Sequence, residues 1–269
     1  MNTTWLGLAG GVAAVTGGGG GIGRAIALEL AAAGCRVAVI DRDDGAANMV
    51  AAEITATGGE AVGLGCDVGD RAAVAAMVRA TETAFGPCTV LVNNAGVLRP
   101  GHLDTLDPAD WSAVLDINLT GYLSCAQAFG HSMRQQGHGS IVNVASIAAA
   151  HPQAYSGAYS SAKAAVVMLT RQIAFEWGPF GVRCNAVSPG LIRTPLSESF
   201  YRAPGIEERR RAVVPTRAIG RPEDIATVVA FLCSPKAGYV TGQDLTVDGG
   251  FSQTLMSHIP RPGYDHDDA

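Results

Sequence analysis

Tyr159 and Lys163 stand four residues apart in Tyr159-Ser160-Ser161-Ala162-Lys163. On a helix that spacing puts a phenol and an ammonium on one face. The chemistry this pair could do is acid–base work. A free tyrosine titrates near pH ~10, too high for a base at neutral pH, and a neighbouring cation lowers that value by favouring the phenolate. Lowering it by about three units takes about 4 kcal/mol of differential interaction. Such a pair recurs by chance in many chains, so its surroundings decide its meaning. Ser146 lies 13 residues before Tyr159, at the end of an apolar run.

A second constellation lies near the amino end. Gly17 to Gly21 are consecutive glycines, set between the apolar run Gly11–Thr16 and a helical stretch Ile22–Ala33. A helix N-terminus presents free N–H groups and a positive dipole end to an anion, and glycine lets phosphates come close. Gly18, Gly20 and Gly23 fit G-x-G-x-x-G, and Asp41 follows 18 residues past Gly23 at the end of the next apolar run. A carboxylate there can accept hydrogen bonds from adenosine ribose hydroxyls and repels a 2′-phosphate, which argues for NAD over NADP. Arg42 argues the other way, because a guanidinium can pair with that phosphate. Asp67 ends a third run, where it could bond the adenine amino group. Asn93-Asn94-Ala95-Gly96 ends a fourth, with amides able to tie adjacent strands and small residues that let the backbone pass close to the ribose. An oxidised nicotinamide beside Lys163 would add to the positive charge that favours a phenolate at Tyr159.

The elements that must position these groups alternate. Strands are expected at Gly11–Thr16, Arg36–Asp41, Ala61–Asp67, Thr89–Asn93, Ser140–Ser146, Val182–Ser188 and Asp244–Val247. Between them fall helices at 22–33, 43–57, 70–84, one long helix at 108–136, and helices at 157–177, 196–212 and 222–233. Asp70 and Asp107 stand at N-cap positions, and glycines close several helices. Continuous apolar strands alternating with helices specify an α/β chain: a single-domain, Rossmann-like, doubly wound parallel sheet of about seven strands flanked by helices. Its ligands belong at the carboxyl ends of the strands. The reading takes 1–257 as one dinucleotide-binding and catalytic domain. Residues 258–269 form a tail, either frayed or packed on a neighbouring subunit.

Composition excludes other classes. The chain has 269 residues, 48% apolar and only 16% charged, against roughly 25% charged in an average domain. That excludes disorder. A net charge of −5 gives no general reason to bind nucleic acid or an anionic membrane. Glycine is in excess, 34 residues or about 13%, against about 7% usually. Six scattered cysteines, never closer than 22 residues, have no zinc-ligand spacing and read as reduced core residues of a cytoplasmic protein. No metal site, signal peptide or membrane span is expected.

Over nearly its whole length the chain resembles the short-chain dehydrogenase/reductase family. The matching motifs are Thr16-Gly17-x-x-x-Gly21-Ile22-Gly23, Asp67-Val68, Asn93-Asn94-Ala95-Gly96, Asp116-Ile117-Asn118, Ser146, Tyr159-x-x-x-Lys163, Ser188-Pro189-Gly190 and Val247-Asp248-Gly249-Gly250. The resemblance implies that Tyr159 is the general acid/base, that Lys163 lowers its pKa and holds the nicotinamide ribose, that Ser146 orients the substrate oxygen, and that Asn118 holds a water of the proton relay. It extends the cofactor set to Gly17, Gly20, Gly21, Ile22, Gly23, Val68, Asn94, Ala95, Gly96, Pro189, Gly190, Ile192 and Thr194. Gly20 stands where NADP-preferring members often carry a basic residue, in agreement with Asp41.

The implied reaction is hydride transfer between a carbinol carbon and NAD. Substrate contacts are expected from Val97, Leu98, the stretch 147–155 and the stretch 191–201, with Ser146, Ala148, Gln153, Tyr155, Tyr159 and Leu191 as the substrate set. Their mostly apolar character suggests a small hydrophobic secondary alcohol or ketone, cyclic or aryl. A polyol or sugar, a steroid, a 3-oxoacyl thioester, or a non-catalytic NAD-binding regulator remain the alternatives. Family members form dimers or tetramers through the helices at 108–136 and 157–177, which implies a homo-oligomer, a tetramer before a dimer.

Overall fold

The computed structural model of the chain describes residues 3–195 and 197–259. The expected tail therefore lies almost wholly outside the described residues, as does Leu196.

The strands are β1 (Val12–Thr16), β2 (Arg36–Asp41), β3 (Glu60–Gly65), β4 (Val90–Asn93), β5 (Gly139–Val144), β6 (Val182–Pro189) and β7 (Asp244–Val247). All pair in parallel, in the order β3-β2-β1-β4-β5-β6-β7. The chain leaves β1 toward one edge and returns at β4 toward the other. Where the winding direction switches, a crevice opens at the carboxyl ends. Every residue of β1 and β4 is buried, which is why both read as apolar runs that end in a polar residue, Thr16 and Asn93.

Alternation within a strand divides the core between two faces. Ala13 and Val15 of β1 meet the layer of α1 (Gly21–Ala32), α2 (Asp44–Ala56) and a later helix at Pro222–Cys233. Val12 and Ala14 face α3 (Arg71–Phe85) and the long helices on the other side. Asp43, Asp70 and Asp107 each accept a backbone N–H as N-caps, contacts that typically stabilise a helix by about 1 kcal/mol. All six cysteines are buried and unpaired, and burial pushes the Cys35, Cys88 and Cys125 thiols up to about 12.

Several elements differ from the sequence reading. The strand expected at 61–67 stops at Gly65, short of Asp67, and the helix expected from 157 begins at Tyr159. The helix expected at 108–136 is α4 (Pro108–Leu115) and α5 (Gly121–Gln136), joined by a π turn at Asp116–Thr120. The cause is Asn118, which is fully buried and exchanges two hydrogen bonds with the Val97 backbone, its Oδ1 accepting at 2.8 Å and its Nδ2 donating at 2.9 Å. The strand expected to reach Ser146 ends at Val144. Ser146 instead caps a short 3-10 turn at Ile147–Ala149, ahead of α6 (Tyr159–Trp177). The helix expected at 196–212 is a 3-10 turn at Glu198–Tyr201 and a separate α7 (Ile206–Ala212), followed by α8 (Pro222–Cys233). Pro204 and Gly205 part the first two, Gly205 taking the left-handed conformation at φ 73°.

Candidate active site

The crevice holds a cavity of about 490 Å³, within the usual range for small-molecule sites. Its amino-terminal rim is the turn from β1 to α1. Thr16 Oγ1 accepts the N–H groups of Asn94 and Ala95 at 3.0 and 3.2 Å. Asn94 Nδ2 donates to the carbonyls of Thr16 and Gly17, both at 3.1 Å, which ties the ends of β1 and β4 together. Glycine is required here by space. A Cβ on Gly17 would lie 2.8 Å from Ala95 Cα, and one on Gly23 would lie 2.0 Å from the Gly17 carbonyl oxygen. Gly20 differs: a Cβ there would meet nothing within 4 Å.

The first helical bond of α1 runs from Arg24 N–H to Gly20 O, so the N–H groups just before it are unspent within the helix. A cradle of free N–H groups and open space fits a diphosphate. Asp41, at the end of β2, accepts the N–H groups of Gly19 and Asp43 at 3.0 and 3.1 Å, which fixes its carboxylate at the cavity wall beside Arg42. Asp67 lies beyond the end of β3 and accepts the Gly69 N–H at 2.9 Å. These features fit the adenosine end of a dinucleotide.

The opposite end carries the acid–base group. Tyr159 opens α6 and Lys163 lies one turn on. Lys163 is buried, and its Nζ donates to Val144 O at 2.7 Å and to Tyr122 OH at 3.2 Å. It sits 5.7 Å from the Tyr159 ring centroid. Burial pushes the Lys163 ammonium down to about 7. Burial also raises the Tyr159 phenol above its ordinary value, and a hydrogen bond with Ser146 opposes that rise. The sequence reading put the phenol below its ordinary value. In the protein the loss of water outweighs the hydrogen bond with Ser146. Both groups are driven toward their neutral forms, and charge arriving on one favours ionisation of the other.

The structure brings the expected residues together with few exceptions. Every expected cofactor residue except Gly23 lines the cavity, as do Ser146, Gln153, Tyr159 and Leu191 of the substrate set. Gly23 packs behind the turn. Asn118 lies behind the wall, its amide committed to Val97. Ala148 and Tyr155 are not on the wall. Ala148 is buried with its N–H on Ser146 Oγ at 3.1 Å. Tyr155 takes φ 60°, gives its carbonyl to Gly101 N–H, and turns its exposed ring onto His102 at 4.2 Å between centroids. Sequence reasoning missed Tyr122 beneath Lys163, and Arg210, which lines the cavity from α7. Arg210 sits in the run Glu207-Glu208-Arg209-Arg210-Arg211, which reads as a solvated helix face. Nothing in the sequence signals Tyr122, a helix residue whose partners are far along the chain.

Among the described residues no group of three His, Cys, Asp or Glu side chains could hold a metal ion, and no helix is long and apolar enough to cross a membrane.

Comparisons with known proteins bear on the fold and the family. A family profile described as "Enoyl-(Acyl carrier protein) reductase" matches residues 17–252. The chain is 42% identical to short-chain reductase protein NovJ of Streptomyces niveus over 89% of this chain and 93% of that one. It is 36% identical to 2,3-dihydro-2,3-dihydroxybenzoate dehydrogenase of Bacillus subtilis, over 91% and 97%. Among solved structures, a 7α-hydroxysteroid dehydrogenase complexed with NADH and 7-oxo glycochenodeoxycholic acid superposes with a TM-score of 0.89 at 37% identity, covering 93% of this chain and 97% of that one. Solved neighbours include complexes with NADP as well as NADH.

Proposed function

The chain belongs to the short-chain dehydrogenase/reductase family of oxidoreductases, and from that premise we propose that it interconverts a secondary alcohol and a ketone with NAD. The observation that carries the reading is the convergence of Tyr159, Ser146 and Lys163 on the cavity that the glycine turn and Asp41 also line. When bound, the nicotinamide gives or takes the hydride. Tyr159 exchanges the proton of the substrate hydroxyl. Ser146 hydrogen-bonds Tyr159 and is placed to bond the same substrate oxygen. Lys163, held by Val144 and Tyr122, stabilises the phenolate and binds the nicotinamide ribose. Asn118 fixes the Val97 loop against the π turn and so shapes the wall beside the substrate.

The preference for NAD rests on the Asp41 carboxylate and on a turn without a basic side chain at Gly20. The substrate reading is a cyclic or aryl alcohol with an apolar body, since Val97, Leu98, Leu191 and Phe200 line the substrate end. The relatives named for a dihydroxylated ring and for a steroid support it. Residues 1–257 form the working unit. Exposed Met168 and Phe175, seven residues apart on α6, suit a homo-oligomer interface, and the buried thiols suit a reducing cytoplasm.

A panel of aryl, cyclic and aliphatic secondary alcohols, with a polyol and a 3-hydroxyacyl thioester, followed at the NADH absorbance with NAD and NADP in parallel, tests the reading. We expect turnover of the cyclic or aryl alcohols with NAD, and kcat/KM with NADP lower by about tenfold or more, the weight of one misplaced charge. Turnover with NADP alone removes the role given to Asp41, and turnover of the polyol alone removes the apolar pocket.

A further inference from the structure

The cavity wall formed by the segment between β6 and α8 contains a cation with no counter-ion among the described residues. Arg210 is half-buried on α7, and among the described residues its guanidinium makes no ion pair or hydrogen bond. Two rings hold it in place, Phe200 at 5.4 Å and Tyr201 at 4.8 Å from the guanidinium carbon to the centroids. Such contacts orient a guanidinium without neutralising it. Of the three carboxylates on the same segment, Glu198 and Glu207 are both bound to Arg193 at 2.9 and 3.0 Å, and exposed Glu208 makes no ion pair among the described residues. Tyr201 gives an independent observation: it lines the same cavity, and its buried hydroxyl has no hydrogen-bond partner. An unpaired guanidinium stacked on the ring of a tyrosine whose hydroxyl is itself unpaired, both lining one cavity, is a site for an anionic oxygen acceptor.

The position of this patch separates it from the acidic part of the cavity. Asp41 and Asp67 stand at the adenosine end, where they would repel an anion. Phe200, Tyr201 and Arg210 belong to the segment that borders the substrate end. We propose that Arg210 anchors a carboxylate carried by the substrate, so that the protein acts on a hydroxy acid or keto acid whose acid group lies away from the reacting carbon. This rests on the oxidoreductase reading and narrows its substrate class.

The test titrates the protein–NADH complex with benzoate and with benzamide, a neutral analogue of the same shape, and follows NADH fluorescence. Benzoate is expected to bind about tenfold tighter than benzamide, the weight of one charge-assisted hydrogen bond. Arg210→Gln should bring that ratio close to one, Arg210→Lys should keep part of it, and Tyr201→Phe should reduce it less than Arg210→Gln does. Equal binding of the two probes, or a ratio that survives Arg210→Gln, overturns the proposal. NADH affinity provides the second readout. If Arg210→Gln weakens NADH by the same factor as benzoate, the guanidinium serves the cofactor diphosphate and the substrate assignment is wrong. If the native protein binds no NADH, it is the oxidoreductase reading that fails.

Discussion

The two rims of the cavity are built differently. The rim at the ends of β1, β2 and β4 is tied by backbone and short side-chain hydrogen bonds: Thr16 and Asn94 join two strands, and Asp41 is fixed by two N–H groups. Two of its glycines, Gly17 and Gly23, sit where neighbouring backbone leaves no room for a Cβ. The rim from Leu191 to Ala212 consists of a 3-10 turn and one short helix. It is held by solvent-facing pairs from Arg193 to Glu198 and Glu207 and by arginines lying on aromatic rings. Few buried contacts and exposed polar links make for low local stability. The first rim suits one invariant ligand. The second suits adjustment to a substrate, which is where members of one family can diverge.

The comparison can be broken from its strong side. Gly23→Ala places a methyl 2.0 Å from the Gly17 carbonyl oxygen and 2.5 Å from Asn94 Nδ2. It should cost about 3 kcal/mol of stability, the upper end of overpacking, and abolish NADH binding, as urea unfolding and NADH fluorescence would report. Gly20→Ala sharpens the contrast. That site is open and its extended backbone accepts any residue, so stability should stay within about 0.5 kcal/mol. NADH affinity should fall by no more than a few-fold, because the added methyl meets nothing within 4 Å. The smallest effect is expected on the second rim. Arg193→Ala should leave the urea midpoint nearly unchanged, since its pairs are exposed, while raising the KM of the best substrate several-fold. A midpoint that falls as far as that of Gly23→Ala would dissolve the distinction between the rims.

What the sequence made legible follows the same division. The sheet was readable because strands buried on both faces are apolar up to their last residue, as in Val12–Thr16 and Val90–Asn93. The first rim was readable because its needs are local: a glycine turn, a carboxylate at a strand end, an asparagine pair. Features created by distant contacts were not. The π turn exists because Asn118 bonds a backbone 21 residues away, while its flanks keep ordinary helical periodicity. Lys163 owes its position to Tyr122, 41 residues away. Arg210 reads as solvated in a run of like charges until α7 is folded back against the cavity. Tyr155 reads as a substrate contact by its place in the chain, and a left-handed backbone turns it outward.

In the proposed reaction Tyr159 moves the substrate proton from a wall it shares with the cofactor site. The most direct measurement is paired: NADH affinity and turnover of Tyr159→Phe, with the best alcohol from the panel. Removing one hydroxyl leaves the cradle at α1 intact, so NADH should bind within about twofold of the native protein, while kcat falls by about a hundredfold to ten-thousandfold, the range for loss of a general acid/base. Turnover that survives with NADH affinity unchanged would contradict the account.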